Sequence, residues 1–418
     1  MKNIIDELRW RGMIHSMMSG TEEKLKTEKV TGYIGFDPTS DSLHVGSLVP
    51  IVLLMHLQRA GHTPIALVGG ATGMIGDPSG KSTERSLLDK ETLDRNVEGI
   101  TGTLRRFLPD IEVVNNYDWM KDFSFIDFAR DVGKRITVNY MLSKQSVKNR
   151  IEGEGMSFTE FTYQLLQGYD FLHLNQTRGC VLQMGGSDQW GNIITGADLI
   201  KKTTGEEVFA LTCHLLTKPD GTKFGKSEGG ENIWLDPEKT SVFKFYQFWL
   251  NISDDYAEVL IKILTFMSYE ETWDLIASHE EEPHKYLLQK RLAYEVTKMV
   301  HGEKEAQGAI RTTEILFGGG DINQLSDGVI RNLLEDLPSS EISWKDLEMG
   351  MDVTEFLNRT NLFDSKSDIR RALNENSVSI NFTRINDQKT IGLNDMVANR
   401  VILVKRGKKK HFLFEIIS

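Results

Sequence analysis

The sequence predicts an α/β protein: a parallel-sheet domain first, an α-helical region second, and a small α+β module at the end. Three observations predict it. Short apolar or β-branched segments near residues 30–36, 64–68, 111–114, 180–184 and 208–211 alternate with helical periodicity, as in a parallel sheet with crossover helices. Two of these segments run directly into glycine-rich turns, Gly69-Gly-Ala-Thr-Gly-Met-Ile-Gly-Asp-Pro-Ser-Gly-Lys-Ser82 and Gly185-Gly-Ser-Asp-Gln-Trp-Gly-Asn192. In a parallel sheet such turns lie at the strands' carboxyl ends, where nucleotides bind. The third observation is charge. The net is −11, yet residues 351–418 hold twelve Lys+Arg against eight Asp+Glu, a net of +4 that leaves −15 for the rest. An acidic body with a basic end module follows.

Composition narrows the class. A chain of 418 residues is long enough for two or three domains, and 39% hydrophobic with 26% charged residues is ordinary for a soluble globular protein. The acidic total excludes a polycation, so any nucleic-acid surface must be local. Cys180 and Cys213 form no CxxC pair, which points to a reducing compartment without a disulfide framework or zinc site. The mixed-charge start fits neither a signal nor a transit peptide, and no apolar run reaches about 18 residues, the length needed to span a membrane.

Residues 3–18 read as one amphipathic helix with Ile4, Ile5, Leu8 and Ile14 inward. The stretch Tyr33-Ile-Gly-Phe-Asp-Pro-Thr-Ser-Asp-Ser-Leu-His-Val-Gly-Ser47 reads as a strand, a turn and a helix start. Asp37-Pro38 breaks the strand, and Pro50 is tolerable only in a first helical turn, so the helix begins near 45–47 and is capped at Gly61. His44 and Gly46 then lie at a helix N-terminus. There the free N–H groups favour an anion, the His can add a donor, and the Gly lets a nucleotide approach. The first glycine-rich turn is not a P-loop, because Ile75 stands where that motif needs Gly. Asp77, Lys81 and Arg85 remain as charges beside it. Asp122–Lys134 reads as a helix and 135–156 as an irregular insertion.

Ser157-Phe-Thr-Glu160 is a capping box opening a helix to about Leu172. Tyr163, Gln167 and Asp170 fall on one face of it. Two readings are open, a solvated stripe or a polar binding face. Apolar flanks on both sides, and a hydroxyl–amide–carboxylate set suited to a zwitterion with a phenol, favour the second. Asp188 suits a ribose hydroxyl or an N-cap. Lys223 and Lys226 lie on a Gly-containing polar loop. Residues 240–315 are helical by periodicity, with Phe245, Tyr246, Phe248, Trp249 and Leu250 as core, and Pro338–Asp352 reads as a linker. In the tail, Asn361–Leu373 is a helix candidate carrying Lys366, Arg370 and Arg371. Lys405, Arg406, Lys408, Lys409 and Lys410 form the densest basic run, a solubilising turn or an RNA surface.

Phe36-Asp-Pro-Thr with Leu43-His-Val-Gly46 resembles the first signature of class I aminoacyl-tRNA synthetases, with Ser47 in place of its second histidine. Lys223-Phe-Gly-Lys-Ser227 resembles the second signature. With Tyr33-Ile-Gly-Phe-Asp-Pro-Thr39, the two glycine-rich turns and Ser157-Phe-Thr-Glu-Phe161, the chain is similar from end to end to bacterial-type tyrosyl-tRNA synthetases. Its end is similar to the S4 RNA-binding fold.

The resemblance implies a Rossmann-like catalytic domain over 1–220 with an insertion at about 115–156. It further implies a helical anticodon-side domain over 221–330, a linker over 331–352 and an S4-like domain over 353–418. Tyrosine and ATP would give tyrosyl-adenylate and pyrophosphate, and tyrosine would then pass to the 3′ end of tRNA(Tyr). The implied catalytic residues are Thr39, His44, Lys81, Arg85, Lys223, Lys226 and Ser227. Tyr33 and Asp170 would meet the phenol, with Tyr163, Gln167, Asp77 and Gln189 around the rest of the amino acid. Gly35, Asp37, His44, Gly46, Gly186, Asp188 and Lys226 would line the ATP. The tail cations named above would contact RNA through phosphates and A-form shape. Mg2+ would come with ATP and no metal would be held by the protein. A cytoplasmic homodimer away from membranes is expected by analogy. Rival readings are a tryptophanyl enzyme, a small nucleotidyltransferase, and an RNA-binding protein that keeps the fold without the chemistry. The pairing of Tyr33 with Asp170 favours a phenol over an indole.

Overall fold

The expected first helix breaks early. It spans Ile4–Trp10, Gly12 takes a left-handed φ of +70°, and strand β1, Ile14–Met17, follows. Ile14 therefore belongs to a sheet edge and not to the helix face that buries Ile4, Ile5 and Leu8. This computed structural model describes residues 3–79, 88–153, 155–217, 224–225, 230–318, 327–398, 400–407 and 410–417. The chain divides into two compact units, 1–236 with 252–292, and 237–251 with 293–418.

The first unit is built on a six-stranded sheet. Its remaining strands are β2 (Thr31–Phe36), β3 (Thr63–Val68), β4 (Glu112–Asn115), β5 (Cys180–Gly186) and β6 (Phe209–Cys213), in the order β1-β6-β5-β2-β3-β4. β2 to β6 are mutually parallel, and β1 runs antiparallel to β6 at the edge. Going along the chain, the sheet grows from β2 to β3 and β4 on one side, then to β5 and β6 on the other. The crevice outside the carboxyl ends of β2 and β5 is therefore a switch point, the standard ligand position in such sheets.

A 3₁₀ turn, Val45–Ser47, leads into the helix Leu48–Arg59, with Pro50 in its first turn and Gly61 just beyond its end. Leu48, Val49, Ile51, Val52, Leu53, Leu54 and Leu57 are all buried, which seats this helix firmly under the sheet. Residues 135–156 are more ordered than expected, with helices at Val138–Leu142 and Gln145–Glu152. The helix expected over 122–134 is the shorter Phe125–Asp131.

The helix Phe158–Arg178 is longer than its apolar pattern indicated and ends at Gly179, φ +60°. Ser157 Oγ accepts the Glu160 N–H as a cap should, at 3.1 Å. The Glu160 carboxylate, however, pairs with buried Arg150 at 2.8 Å, so only half of the expected capping box forms. Gly168 faces Gly196 of the helix Trp190–Thr204, and an added Cβ on Gly168 would already lie 3.5 Å from Gly196 Cα. That close crossing turns the Tyr163–Gln167–Asp170 face toward the sheet.

In the second unit, helices Val242–Leu250, Glu303–Gly318 and Asp327–Asp336 bury Phe243, Phe245, Tyr246 and Trp249, while Phe248 and Leu250 stay half-exposed. The remaining strands are β7 (Ser339–Ser343), β8 (Met351–Asp352), β9 (Val378–Ile380), β10 (Thr383–Arg384), β11 (Thr390–Ile391), β12 (Val401–Arg406) and β13 (Lys410–Ile417). Five of them form a sheet in the order β10-β9-β12-β13-β7, with β7 parallel to β13. The expected linker is thus structured: β7, a helix Trp344–Glu348 and β8 occupy 339–352. Its serines and acids face outward, while Ile342 and Leu347 are buried. One apolar cluster joins Phe243, Ile315, Leu316 and Ile330 of the helices to Val401, Leu403 and Leu413 of β12 and β13. Among the described residues, no helix is long and apolar enough to cross a membrane.

Candidate active site

A cavity of about 510 Å³ opens at the carboxyl ends of β2 and β5. Its deep end is made by Tyr33 of β2 and by Tyr163, Gln167 and Asp170 of the helix Phe158–Arg178. The stripe therefore lines a cavity and is not a solvated face. Tyr33 and Asp170 are each 1% exposed. Asp170 is gripped from behind: Trp119 Nε1–H donates to Oδ1 and Asn116 Nδ2 to Oδ2, both at 2.9 Å. The Asn116 amide cannot turn round, because its Oδ1 accepts the Ala71 N–H at 2.7 Å. Burial pushes the Asp170 carboxyl up to about 7 against the pull of these two donors, with Asp37 adding to the rise. Burial, reinforced by Asp170, lifts the Tyr33 phenol well above its usual range. The Tyr33 hydroxyl, Gln167 Oε1 and Gln183 Oε1 are buried without a hydrogen-bond partner among the described residues. Orphaned polar atoms are rare inside proteins, and three around one cavity mark a place for a polar ligand.

Further out, Asp77 is buried, accepting from Gln189 Nε2 at 2.6 Å and from the Ser79 N–H at 2.9 Å. The Tyr163 hydroxyl donates to Asp37 Oδ2 at 2.8 Å, and Thr72 Oγ1 donates to Asp37 Oδ1 at 2.9 Å. Asp37 is thus tied through Tyr163 and Thr72 to the deep end of the cavity as well as lining its outer part. Tyr163, its proton spent on Asp37, presents oxygen lone pairs, which suits an ammonium.

At the other end stand Gly35, Thr39, His44, Gly46 and Ser47 on one wall, with Gly186 and Asp188 opposite. His44 Nδ1 accepts the Gly46 N–H at 3.0 Å, so the neutral ring carries its proton on Nε2. A Cβ at position 46 would lie 2.6 Å from His44 Cε1. Gly46 is therefore required first by the folded-back imidazole. Gly186 is likewise required by its neighbours, since a Cβ would fall 2.7 Å from Leu215 and 2.8 Å from Asp188. Gly35 is different: a Cβ there would meet protein atoms only at 3.9 Å, across a face that opens on the cavity. Asp188 does not cap the following helix, whose N-cap is Gln189.

Lys81, Arg85, Lys223, Lys226 and Ser227 lie outside the described residues. Two residues of the second signature are described, and both sit on the first. Phe224 is buried with its carbonyl beside Gly46, and Gly225, φ +115°, packs against His44 and Val45. The chain after them pairs with the first signature through Val45 N–H to Ile233 O and Leu235 N–H to Leu43 O, each 2.9 Å. His44 and Trp234 stand opposite one another in this bridge.

Comparison with known proteins fits this geometry. Residues 25–318 match the family described as tRNA synthetases class I (W and Y), and 329–414 match the tyrosine–tRNA ligase SYY-like C-terminal domain. The tyrosine–tRNA ligase of Flavobacterium johnsoniae is 55% identical over 432 residues, spanning 100% of both chains. That of Bacteroides thetaiotaomicron is 54% identical over 98% of this chain and 99% of its own. This chain belongs to the tyrosyl-tRNA synthetase family. Among solved structures, a C-terminally truncated mitochondrial tyrosyl-tRNA synthetase from Aspergillus nidulans superposes with a TM-score of 0.68 at 30% identity, covering 76% of this chain and 95% of its own. These relatives set aside the tryptophanyl, nucleotidyltransferase and non-catalytic readings.

For a tyrosyl-tRNA synthetase, sequence reasoning missed Asn116 and Trp119, which hold Asp170, and Thr72, which links Asp37 to Asn116. A signal for the first two was present: Asn115-Asn-Tyr-Asp-Trp119 begins where β4 ends, at the binding edge of the sheet. In the tail, Lys366, Arg370, Arg371 and Lys410 are exposed, Arg371 pairing with Asp368 Oδ1 at 2.6 Å. Lys405 and Arg406 are not free cations. Lys405 Nζ reaches Leu316 O at 3.4 Å, and the Arg406 guanidinium forks onto Asp368 at 2.8 and 2.9 Å. Both stand at the end of the interior strand β12 and fold back onto their own unit. Lys408 and Lys409 lie outside the described residues.

Proposed function

We propose that this synthetase activates L-tyrosine in the cavity at the carboxyl edge of its sheet, with the phenol between Tyr33 and Asp170. One observation carries the assignment. Tyr33 offers a buried hydroxyl with no hydrogen-bond partner among the described residues, beside a carboxylate already held on both oxygens. A phenol supplies one donor and one acceptor at one atom, which complements that pair. Phenylalanine would leave both groups unpaired.

The ammonium group meets Asp77, Gln167 and the Tyr163 oxygen. ATP enters as its magnesium complex, with the ion carried by the phosphates, and runs past Gly35 and Asp37 toward Gly186. Asp188 accepts from the ribose. The tyrosine carboxylate attacks the α-phosphorus, the bond from that phosphorus to the bridging oxygen breaks, and pyrophosphate leaves with its electron pair. The nucleophile is already an anion, so no protein base is needed. Rate comes from alignment and from donors aimed at the growing phosphate charge. Thr39 and His44 Nε2–H fill that role, joined by Lys81, Arg85, Lys223, Lys226 and Ser227. A ribose hydroxyl of the tRNA 3′ end then attacks the adenylate carbonyl, the bond from that carbon to the phosphate oxygen breaks, and AMP departs with the electron pair while the hydroxyl proton passes to solvent. Lys366, Arg370, Arg371 and Lys410 grip the tRNA through its phosphates, joined by Lys408 and Lys409.

The enzyme works as a homodimer in the cytoplasm. Phe125 and Ile126 are 71% and 75% exposed, with Val138 and Phe158 also outward, an apolar set that a second copy would cover. Both cysteines are free and buried, which suits a reducing compartment. The deciding experiment is exchange of labelled pyrophosphate into ATP without tRNA. Exchange with tyrosine, and not with tryptophan or phenylalanine, is expected. Exchange driven by tryptophan would overturn the pocket assignment.

A further inference from the structure

We infer that His173 is a positioning residue for the phenol pocket: it holds the Trp119 indole flat, and the indole in turn fixes the Asp170 carboxylate. The inference rests on reading Asp170 as the phenol's partner. Asp170 and His173 are three residues apart on one helix and so share a face. Trp119 spans both. Its Nε1–H donates to Asp170 Oδ1 at 2.9 Å, and its ring stacks on the imidazole with centroids 4.3 Å apart and planes 16° from parallel. A single hydrogen bond leaves an indole free to swing about the donor. A flat stack one turn away removes that freedom.

Trp119 belongs to a four-residue helix, Tyr117–Met120, with no buried residue; Asn115 Oδ1 accepts its first N–H at 3.0 Å, and the indole, packed against the apolar cluster that includes Tyr33, Leu67 and Phe171, has its flat ring contact with His173. A second cavity of about 510 Å³ borders Trp119 and His173 on the side away from the substrate, between β4 and Arg178. His173 is itself backed by Tyr169 at 6.2 Å, which leans on Phe123 at 4.9 Å. Phe123 meets Phe128 of the insertion edge-on at 5.6 Å. A row of aromatic rings thus runs from the insertion to the indole that donates to Asp170. Nothing in the mechanism above uses His173, and its conspicuous contact is this stack.

The test is tyrosine-dependent pyrophosphate exchange by His173→Leu and His173→Gln, which remove the flat ring, and by His173→Phe, which keeps one. Thermal midpoints are measured alongside. Both ringless variants should raise KM for tyrosine and lower the tyrosine-to-phenylalanine ratio of kcat/KM by about three- to ten-fold, the factor an aromatic pair is worth. KM for ATP should stay constant, and His173→Phe should restore both tyrosine values. Unchanged tyrosine KM and ratio in a folded ringless variant would overturn the inference. So would a joint rise in both KM values without rescue by Phe, which would mark a merely structural role. Asp170→Asn run in parallel separates the two levels. If it leaves the ratio unchanged, the phenol assignment itself falls. If it lowers the ratio and the His173 variants do not, only this inference does.

Discussion

Replacing Asp170 by Asn tests the pocket most directly, because the change is isosteric and its cost can be worked out. In the wild type two N–H donors, from Asn116 and Trp119, converge on two carboxylate oxygens. An amide has one oxygen, so one donor must face an NH₂ group. The phenol also loses an ionised acceptor. A hydrogen bond to a charged group is worth roughly 1.5–3 kcal/mol, which is about 10- to 150-fold in kcat/KM for tyrosine. Phenylalanine has no hydroxyl to lose, so the tyrosine-to-phenylalanine ratio should fall by the same factor. Acidity gives a second reading. With the carboxyl pushed up to about 7, the ionised form must be present to accept the phenol O–H. Wild-type kcat/KM for tyrosine should therefore rise with pH through about 7, and the Asn variant should lack that step.

Stability runs the other way. A carboxyl whose pKa is raised from 3.8 to about 7 penalises the folded state above pH 7, by roughly 4 kcal/mol in the ionised form. The penalty fades as pH falls from 7 toward 4. Asn is free of it, so any stability advantage of the Asn variant should shrink between pH 8 and pH 5. Pyrophosphate exchange with both amino acids, together with denaturant unfolding across that range, measures all three quantities. An unchanged tyrosine-to-phenylalanine ratio would refute the reasoning.

Tyr33→Phe deletes a buried hydroxyl with no hydrogen-bond partner among the described residues, so it should leave the unfolding midpoint unchanged or higher while lowering kcat/KM for tyrosine about three- to ten-fold. Gly46→Ala puts a methyl group 2.6 Å from His44 Cε1, so it should cut kcat by displacing the imidazole while KM for tyrosine holds, as steady-state exchange would reveal. Lys366→Glu with Arg370→Glu should raise KM for tRNA and flatten its salt dependence without altering pyrophosphate exchange. Phe125→Asp with Ile126→Asp should shift the sedimentation coefficient from a dimer to a monomer.

Five strands of the sheet were legible as short apolar segments, and β2, β3 and β5 also end in Asp-Pro or glycine, marks that do not depend on distant contacts. The first helix was misread because apolar spacing alone cannot see that Gly12 takes a left-handed turn. The expected linker was misread because β7 is an edge strand with only Ile342 buried, which leaves a sequence that looks polar. At the cavity, the shared face of Tyr163, Gln167 and Asp170 was legible from helical spacing, whereas Tyr33 entered only through the family resemblance. Asn116 and Trp119 were not legible, because their role comes from a contact across more than fifty residues of sequence. The reason for Gly46 also changed: the side chain two residues earlier needs the space. Lys405 and Arg406 looked like RNA ligands because a run of cations does not reveal that Asp368 and a helix carbonyl await two of them.

The apolar cluster that joins Phe243, Ile315, Leu316 and Ile330 to Val401, Leu403 and Leu413 bears on how the tail can be handled. Leu316 is fully buried in it, and its carbonyl also takes contacts from Lys405 and His411. The helices and the terminal hairpin therefore belong to one cooperative folding unit, and their amides should share a single hydrogen-exchange threshold. Grafting this tail onto another synthetase means carrying its helical bed and β7 along with it. A truncation at residue 352 would strip a wall from a hydrophobic core, and the loss of tRNA charging it produced would report melting before it reported recognition.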